Sequence, residues 1–490
     1  MKKTHHPIFI ESQDLANNQN LILSIALLFI GFLGFYYWPL LSLGSISRFD
    51  EFLTLDRSFS ILRNNDWLSI TLHDKPDFNK PPLHYWLTAL ALQNFNDTEF
   101  ALRLFPFIEG LCLLLATGFL AYALKPKHPL VILISIIIFS SSKHLWSLST
   151  SALLDTGDCL FFTLTLTFLI LALQNSKFWY WVGISIILGS LQKSPLCFLL
   201  VGLILFTLFT LKKYHEIDPS KIFGSNHLKI SFIIVIIFLF LWPTIQFFNY
   251  GFDYVNQYYG SQIFSRFSPS LNNNRVHLIK LMEWIIKPNP LFFFLSVISI
   301  PFASKFLSKS NSIILITIIV SFILLMKFSS GVVFSRYTFL IEPILSAYFS
   351  IILVSLIPNF FKLISVSTVA ALLTGHTLIK IEDLYLNQLD KFYPVLSTYK
   401  KEITSNDNLV LCQFDTGVTI INQVAFDYYA VDHKKFTILG KMDDLKTIPA
   451  SSNKQLLGLC RIDQYEIIKS KLNNPKVLYI QSNHLIWRSN

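Results

Sequence analysis

Charged side chains are scarce in this chain, and those with chemical potential crowd against apolar runs. Asp50 and Glu51 stand side by side shortly after the first hydrophobic run. Lys80 opens the return to apolar sequence in Lys80-Pro81-Pro82-Leu83-His84-Tyr85-Trp86, and Arg103 follows soon after. Asp155 and Asp158 open a later apolar run one helical turn apart, so both can share a face. Lys193 and Arg336 sit at the edges of two more. A carboxylate can deprotonate or orient a hydroxyl, and arginine can grip phosphate with two parallel bonds. Ionisable groups beside hydrocarbon are costly unless they have a partner or a function. Together these residues point to a site that works at a membrane surface. Each also has a plainer reading. The acids can cap the helices that follow them, and the cations can snorkel or anchor the interface.

The elements that must position these groups are membrane helices. The 490 residues are 52% hydrophobic and only 14% charged, against about 25% charged in soluble domains. The net charge of +10 lies mainly in short loops between apolar runs, so it reads as membrane orientation rather than nucleic-acid binding. The run Leu21–Leu41 is too long for a signal-peptide core and lacks a small-residue cleavage site, so it is a retained first span. Further spans are expected at Ala101–Leu124, Pro129–Ser142, Ala152–Leu173, Phe178–Leu191, Leu196–Leu211, Leu228–Phe248, Leu291–Leu307, Ile313–Met326, Tyr337–Ile357 and Phe361–Ile381. Pro82–Phe95 reads as an interfacial or re-entrant helix, or a further span.

With residues 1–20 as a cytoplasmic tail, Lys125, Lys127, Lys177, Lys212, Lys213, Lys221, Lys229, Lys305, Lys309 and Lys362 fall in inside loops. The residues with chemical potential then all fall outside. Residues 21–381 form the membrane domain, with external loops at 42–100 and 249–290; the second is basic and aromatic and suits anionic head groups. Residues 382–490 alternate β-rich runs (409–414, 435–439, 456–461, 476–481) with amphipathic stretches (418–429, 463–471), as a small external α/β domain does. Cys412 and Cys460 fall in two of those strands, either as a disulfide or as two buried thiols.

Four segments in order carry a family resemblance: Asp50-Glu51, Asp66-Trp67, Lys80-Pro81-Pro82-Leu83-His84-Tyr85-Trp86 and Ala101-Leu102-Arg103-Leu104-Phe105-Pro106. They resemble the first external loop of GT-C class glycosyltransferases that use polyprenyl-phosphate sugars, in particular the ArnT-like lipid A aminoarabinose transferases. These are related to the dolichyl-phosphate-mannose protein mannosyltransferases. Leu154-Asp155 resembles the family's Leu-Asp, Lys193-Ser194-Pro195-Leu196 its Lys-Gly-Pro-Leu, and Arg336-Tyr337 its Arg-Tyr segment. The resemblance covers roughly residues 20–350. It implies a polytopic α-helical membrane protein of GT-C type with about 11 to 13 transmembrane helices. It implies a monomeric bacterial inner-membrane enzyme with its site on the periplasmic side. That enzyme transfers sugar, with inversion, from polyprenyl (undecaprenyl) phosphate to lipid A or another envelope glycan. Asp50 is the leading carboxylate, with Glu51 and Asp155 next. Lys80, Lys193 and Arg336 bind the donor phosphate, and Asp158, Tyr85 and Arg103 are further candidates.

The chain departs from the family at two places. Leu53 stands where the aminoarabinose branch has arginine, and Asn79 stands where an acid often precedes Lys-Pro-Pro. Both leave the sugar and a divalent metal open. No His, Cys, Asp or Glu set has metal spacing, and His73, His84 and His144 are isolated in sequence. No glycine-rich nucleotide motif is present, so no cofactor is expected. Protein O-mannosyl transfer and transport of a lipid-linked sugar are the competing functions. Transport is disfavoured because the charges lie at span ends rather than at mid-depth.

Overall fold

The computed structural model describes residues 18–43, 46, 49–72, 75–264, 277–328, 334–356, 398–399, 401–404, 407–412, 436–439, 455–469, 475–481 and 484–489. Helix α1 (Gln19–Tyr37) starts where the Asn18 side chain accepts the Leu21 N–H. Two helices, α2 (Phe49–Asn64) and α3 (Leu83–Asn94), fold the first polar loop, joined through a short antiparallel hairpin of β1 (Thr71–Leu72) and β2 (Lys75–Pro76). Asp97 caps α4 (Thr98–Leu124), which at 27 residues is about 40 Å long and easily spans a hydrocarbon core.

Helices α5 (Leu130–Ser140) and α6 (Lys143–Ser149) are one apolar run bent by 72° at the polar pair Ser141-Ser142. Then come α7 (Asp155–Ala172), α8 (Trp179–Gln192), α9 (Leu196–Thr210), α10 (Asn226–Tyr250), α11 (Leu278–Ile286), α12 (Pro290–Ser299) and α13 (Lys309–Phe328). A 3-10 turn at Ser335–Ile341 leads into α14 (Glu342–Leu356).

Six of these segments are long and apolar enough to cross a membrane, and the bent α5–α6 pair makes up to seven among the described residues. Each sequence-expected span from the first to Tyr337–Ile357 coincides with an apolar helix. However, α8, α9 and α12 are shorter than the membrane is thick. The span expected at Phe361–Ile381 lies outside the described residues. Burial sorts the helices by role. In α14 and α7, 83% and 78% of the apolar window is buried in protein, but in α10 only 11% is. The first two form the bundle core, and α10 turns Phe232, Ile233, Phe240 and Leu241 outward to lipid. Close packing of α4 on α5 depends on Gly118, where a Cβ would come within 2.9 Å of Ile132 and Ile136.

The C-terminal region is a five-stranded mixed sheet in the order β4-β3-β5-β7-β6, built from β3 (Asp407–Cys412), β4 (Phe436–Leu439), β5 (Gln455–Arg461), β6 (Lys476–Gln481) and β7 (His484–Arg488). β3 runs parallel to β4 and β5, and β7 antiparallel to β5 and β6. Helix α15 (Ile462–Lys469) packs beside it, with Tyr465 and Trp487 buried. The sequence reading missed β7; the helix expected at 418–429 lies outside the described residues. Cys412 and Cys460, on neighbouring strands with Cα atoms 4.8 Å apart, are joined as a disulfide. Thiol labelling of the denatured, unreduced protein should therefore find three cysteines, and five after reduction. Five before reduction would show the bond to be absent.

Candidate active site

The site is assembled at one end of the bundle from segments far apart in sequence. The first turn of α2 carries Asp50 and Glu51, an arrangement its helix dipole favours. The two acids then part. Glu51 turns inward and is buried, pairing with Arg103 of α4 at 3.2 Å and accepting the Ala152 N–H at 3.1 Å. Arg103 also donates to the carbonyls of Leu41 and Leu43. This pair clamps the end of the first span, α2, α4 and the turn before α7. Glu51 and Arg103 are thus placed as structural anchors rather than at the open cluster.

Asp50 turns away from this clamp and keeps a third of its side chain exposed. Its Oδ2 accepts from Arg336 Nη1 at 2.6 Å. Arg336 Nε lies 3.7 Å from Asp155 Oδ2. Asp155 in turn receives Lys193 Nζ at 2.9 Å, and the same ammonium is 3.2 Å from Asp158 Oδ2. Asp155 and Asp158 share one face of α7, as their spacing predicts, and Lys193 reaches them from the end of α8. The Tyr337 ring packs under both cations, 5.2 Å from Lys193 Nζ and 5.9 Å from Arg336 Cζ. Half-buried Lys80 acts electrostatically on Asp155 and Asp158. The result is three carboxylates interleaved with three cations. Asp50 and Arg336 are the most exposed members of the ion-paired chain.

Beside this cluster is a second one that sequence reasoning missed. Arg57 of α2 contacts Asp77 at 2.5 Å and donates to the Tyr85 hydroxyl at 2.9 Å. Arg57 lies seven residues after Asp50, on the same helical face, and one turn beyond Leu53, where the family pattern has arginine. The i+7 spacing was the available signal. Asp77 also accepts from the Asn79 side chain at 2.6 Å. Burial pushes the Tyr85 phenol up to about 12 despite Arg57. Next in sequence, His84 is fully buried, and desolvation holds its imidazole down at about 4, with Asp155 opposing and Arg57 assisting.

His144 is not isolated in space. His144 Nδ1 lies 2.6 Å from Glu342 Oε1, and the Ser142 hydroxyl donates to the other oxygen of Glu342 at 2.5 Å. His73 lies outside the described residues. A further acid, Glu109 of α4, is buried against α7, where a Cβ on Gly157 would come within 2.5 Å of its carboxyl.

The arrangement can do two things at once. Its carboxylates can orient a nucleophile, and its cations can balance charge gathering on a phosphate. The chain has the fold of the GT-C glycosyltransferases, in its ArnT-like form. Residues 79–242 match the family model of dolichyl-phosphate-mannose-protein mannosyltransferases. ArnT from Cupriavidus metallidurans bound to undecaprenyl phosphate superposes with a TM-score of 0.68 at 12% identity, over 94% of this chain and 97% of that one. Its apo state gives 0.68 at 13%. The Archaeoglobus fulgidus oligosaccharyltransferase in complex with zinc and sulfate gives 0.53 at 11%, over 86% of this chain and 64% of that one. No curated protein matches by sequence.

Two predictions follow from the geometry. Truncating Arg103 to Ala leaves Glu51 buried and unpaired. This should cost about 3–5 kcal/mol, read as a lower melting temperature in detergent; an unchanged melt would refute the clamp. His84 is neutral when folded, with its imidazole below the usual value near 6.5. The unfolded chain therefore binds more protons between about pH 6.5 and 4, and stability falls as pH drops through that window, by a few kcal/mol at most. His84→Gln should flatten this acid lability, and a variant melting with the same pH slope would show that His84 is not its source.

Proposed function

We propose that this chain is an integral membrane glycosyltransferase that moves a sugar from a polyprenyl phosphate to a hydroxyl-bearing acceptor on the extracytoplasmic face. The observation that carries this reading is the ion chain from Asp50 through Arg336, Asp155 and Lys193 to Asp158. Four segments, separated by up to 286 residues, gather at one end of an ArnT-like bundle.

The chemistry follows from the groups. The acceptor oxygen attacks the anomeric carbon from the side opposite the phosphate, so the configuration inverts. The carbon–oxygen bond to phosphate breaks, and the electron pair leaves on the polyprenyl phosphate. Lys80, Lys193 and Arg336 face that growing charge. Arg336 bridges two carboxylates and can exchange one of them for phosphate, which would free Asp50 for the acceptor. Asp50, the exposed carboxylate, orients the acceptor or takes its proton.

Two supports bear on the side of the membrane. The lysines at 125, 127, 177, 212, 213, 305 and 309 lie at or beyond the opposite ends of the spans that carry the site. Positive charge marks the cytoplasmic end, so the site belongs outside, in a bacterial inner membrane. An envelope glycan such as lipid A is the first acceptor class. The mannosyltransferase family match favours a protein hydroxyl as the second.

Asp50→Asn should reduce sugar transfer by about 10²–10⁴-fold while the protein inserts and melts normally. Lys80→Ala should weaken use of the lipid donor more than it weakens the acceptor. Radiolabelled transfer from undecaprenyl-phosphate sugars in reconstituted vesicles measures both. Full activity in Asp50→Asn, or unchanged donor dependence in Lys80→Ala, ends the respective assignment.

A further inference from the structure

The bend between α5 and α6 holds a group that the scheme above leaves unused. Its outer corner is Ser142, which starts α6 in extended conformation, and His144 follows in the first turn. Glu342, the first residue of α14, is completely buried and closes on both: Ser142 Oγ donates to Oε2, and His144 Nδ1 meets Oε1. A buried carboxylate needs such partners, and this one has them on both oxygens. The contact also fixes the imidazole. With Nδ1–H donating to Glu342, Nε2 keeps its lone pair. The ring is only partly buried, and among the described residues no hydrogen bond involves Nε2.

Position ties this pair to the ion chain. Glu342 directly follows the 3-10 turn that carries Arg336 and Tyr337, and Asp155 acts electrostatically on His144. The charges that act on the imidazole are Glu342 on α14, Lys143 on its own helix and Asp155 on α7; the elements packed against α6 also carry Glu109 on α4, Asp158 on α7 and Arg336 on the turn. Each carboxylate of the ion chain is already engaged by a cation. Among the described residues Nε2 carries no hydrogen bond, and unlike His84 and Glu109, which are buried and also lack hydrogen-bond partners, this imidazole is partly exposed.

We propose that His144, oriented by Glu342, is the base that takes the acceptor's proton, with Asp50 positioning the acceptor. This rests on the transferase reading and narrows it. The acceptor oxygen forms its bond to the anomeric carbon, the bond to phosphate breaks with its electron pair on the polyprenyl phosphate, and the acceptor proton moves to Nε2. The imidazolium is stabilised by the Glu342 carboxylate until it releases the proton to water. A dedicated base serves an acceptor that carries a proton, so the acceptor class is a hydroxyl rather than an ionised phosphate.

The test uses full-length protein in nanodiscs, with undecaprenyl phosphate carrying radiolabelled mannose, glucose or galactose. Water, the simplest proton-bearing acceptor, is the nucleophile, and free sugar is read from roughly pH 5 to 9, the range in which histidine titrates. The wild type should lose rate on the acid side. His144→Gln should fall about 10²-fold, lose that acid limb, and bind undecaprenyl phosphate as before. Glu342→Gln should keep the limb but displace it toward lower pH, because a negative neighbour is gone. A His144→Gln profile parallel to wild type overturns the proposal, as does loss of undecaprenyl phosphate binding, since either marks a structural role. Absence of turnover by the wild type removes the transferase reading and this inference with it. Turnover with an unaltered profile in the variants removes this inference alone.

Discussion

Everything at the open end of the bundle depends on one electrostatic constraint: charges held beside hydrocarbon must be neutralised by one another. The chain Asp50–Arg336–Asp155–Lys193–Asp158 meets it by alternating signs over short contacts. No member is stable there alone, because an uncompensated charge in that setting costs several kcal/mol. The need for mutual compensation fixes the ends of α2, α7, α8 and the turn before α14 relative to one another. It also makes the site responsive. A phosphate can replace a carboxylate on Arg336 without changing the charge balance in kind.

A second layer of pairing makes this possible. Glu51–Arg103 and Arg57–Asp77 are buried ion pairs. They hold α2 at its start and at its middle, against the first span on one side and against the segment before Lys-Pro-Pro on the other. Adjacent acids in sequence therefore serve opposite purposes. Glu51 secures the helix that presents Asp50.

Much of this was legible in the sequence. Asp155 and Asp158 share a face because helical spacing dictates it, and apolar runs of sufficient length can only become spans. The strands at 407–412 and 455–461 correspond to the apolar runs read at 409–414 and 456–461. What was not legible has physical reasons. Which member of Asp50-Glu51 faces inward depends on where Arg103 lands, a tertiary fact. Arg57 escapes the family pattern, which singles out the position of Leu53, although one helical turn further serves the same face. His144 and Glu342 are 198 residues apart, and no local pattern announces their meeting. β7 was missed although Ser482-Asn483 before it favours a turn, because Leu485, Ile486 and Trp487 make an apolar run of only three residues.

The exposure of α10 among the described residues has a consequence for the composition of the chain. With so few of its side chains against protein, its fit is judged by acyl chains, which conform to any greasy outline. Leu, Ile, Val and Phe are close to interchangeable along it, and length is what it must conserve. The crowded α7 and α14 have the reverse economy: there a single methylene is felt by neighbours on every side, and shape is held to a closer tolerance than hydrophobicity.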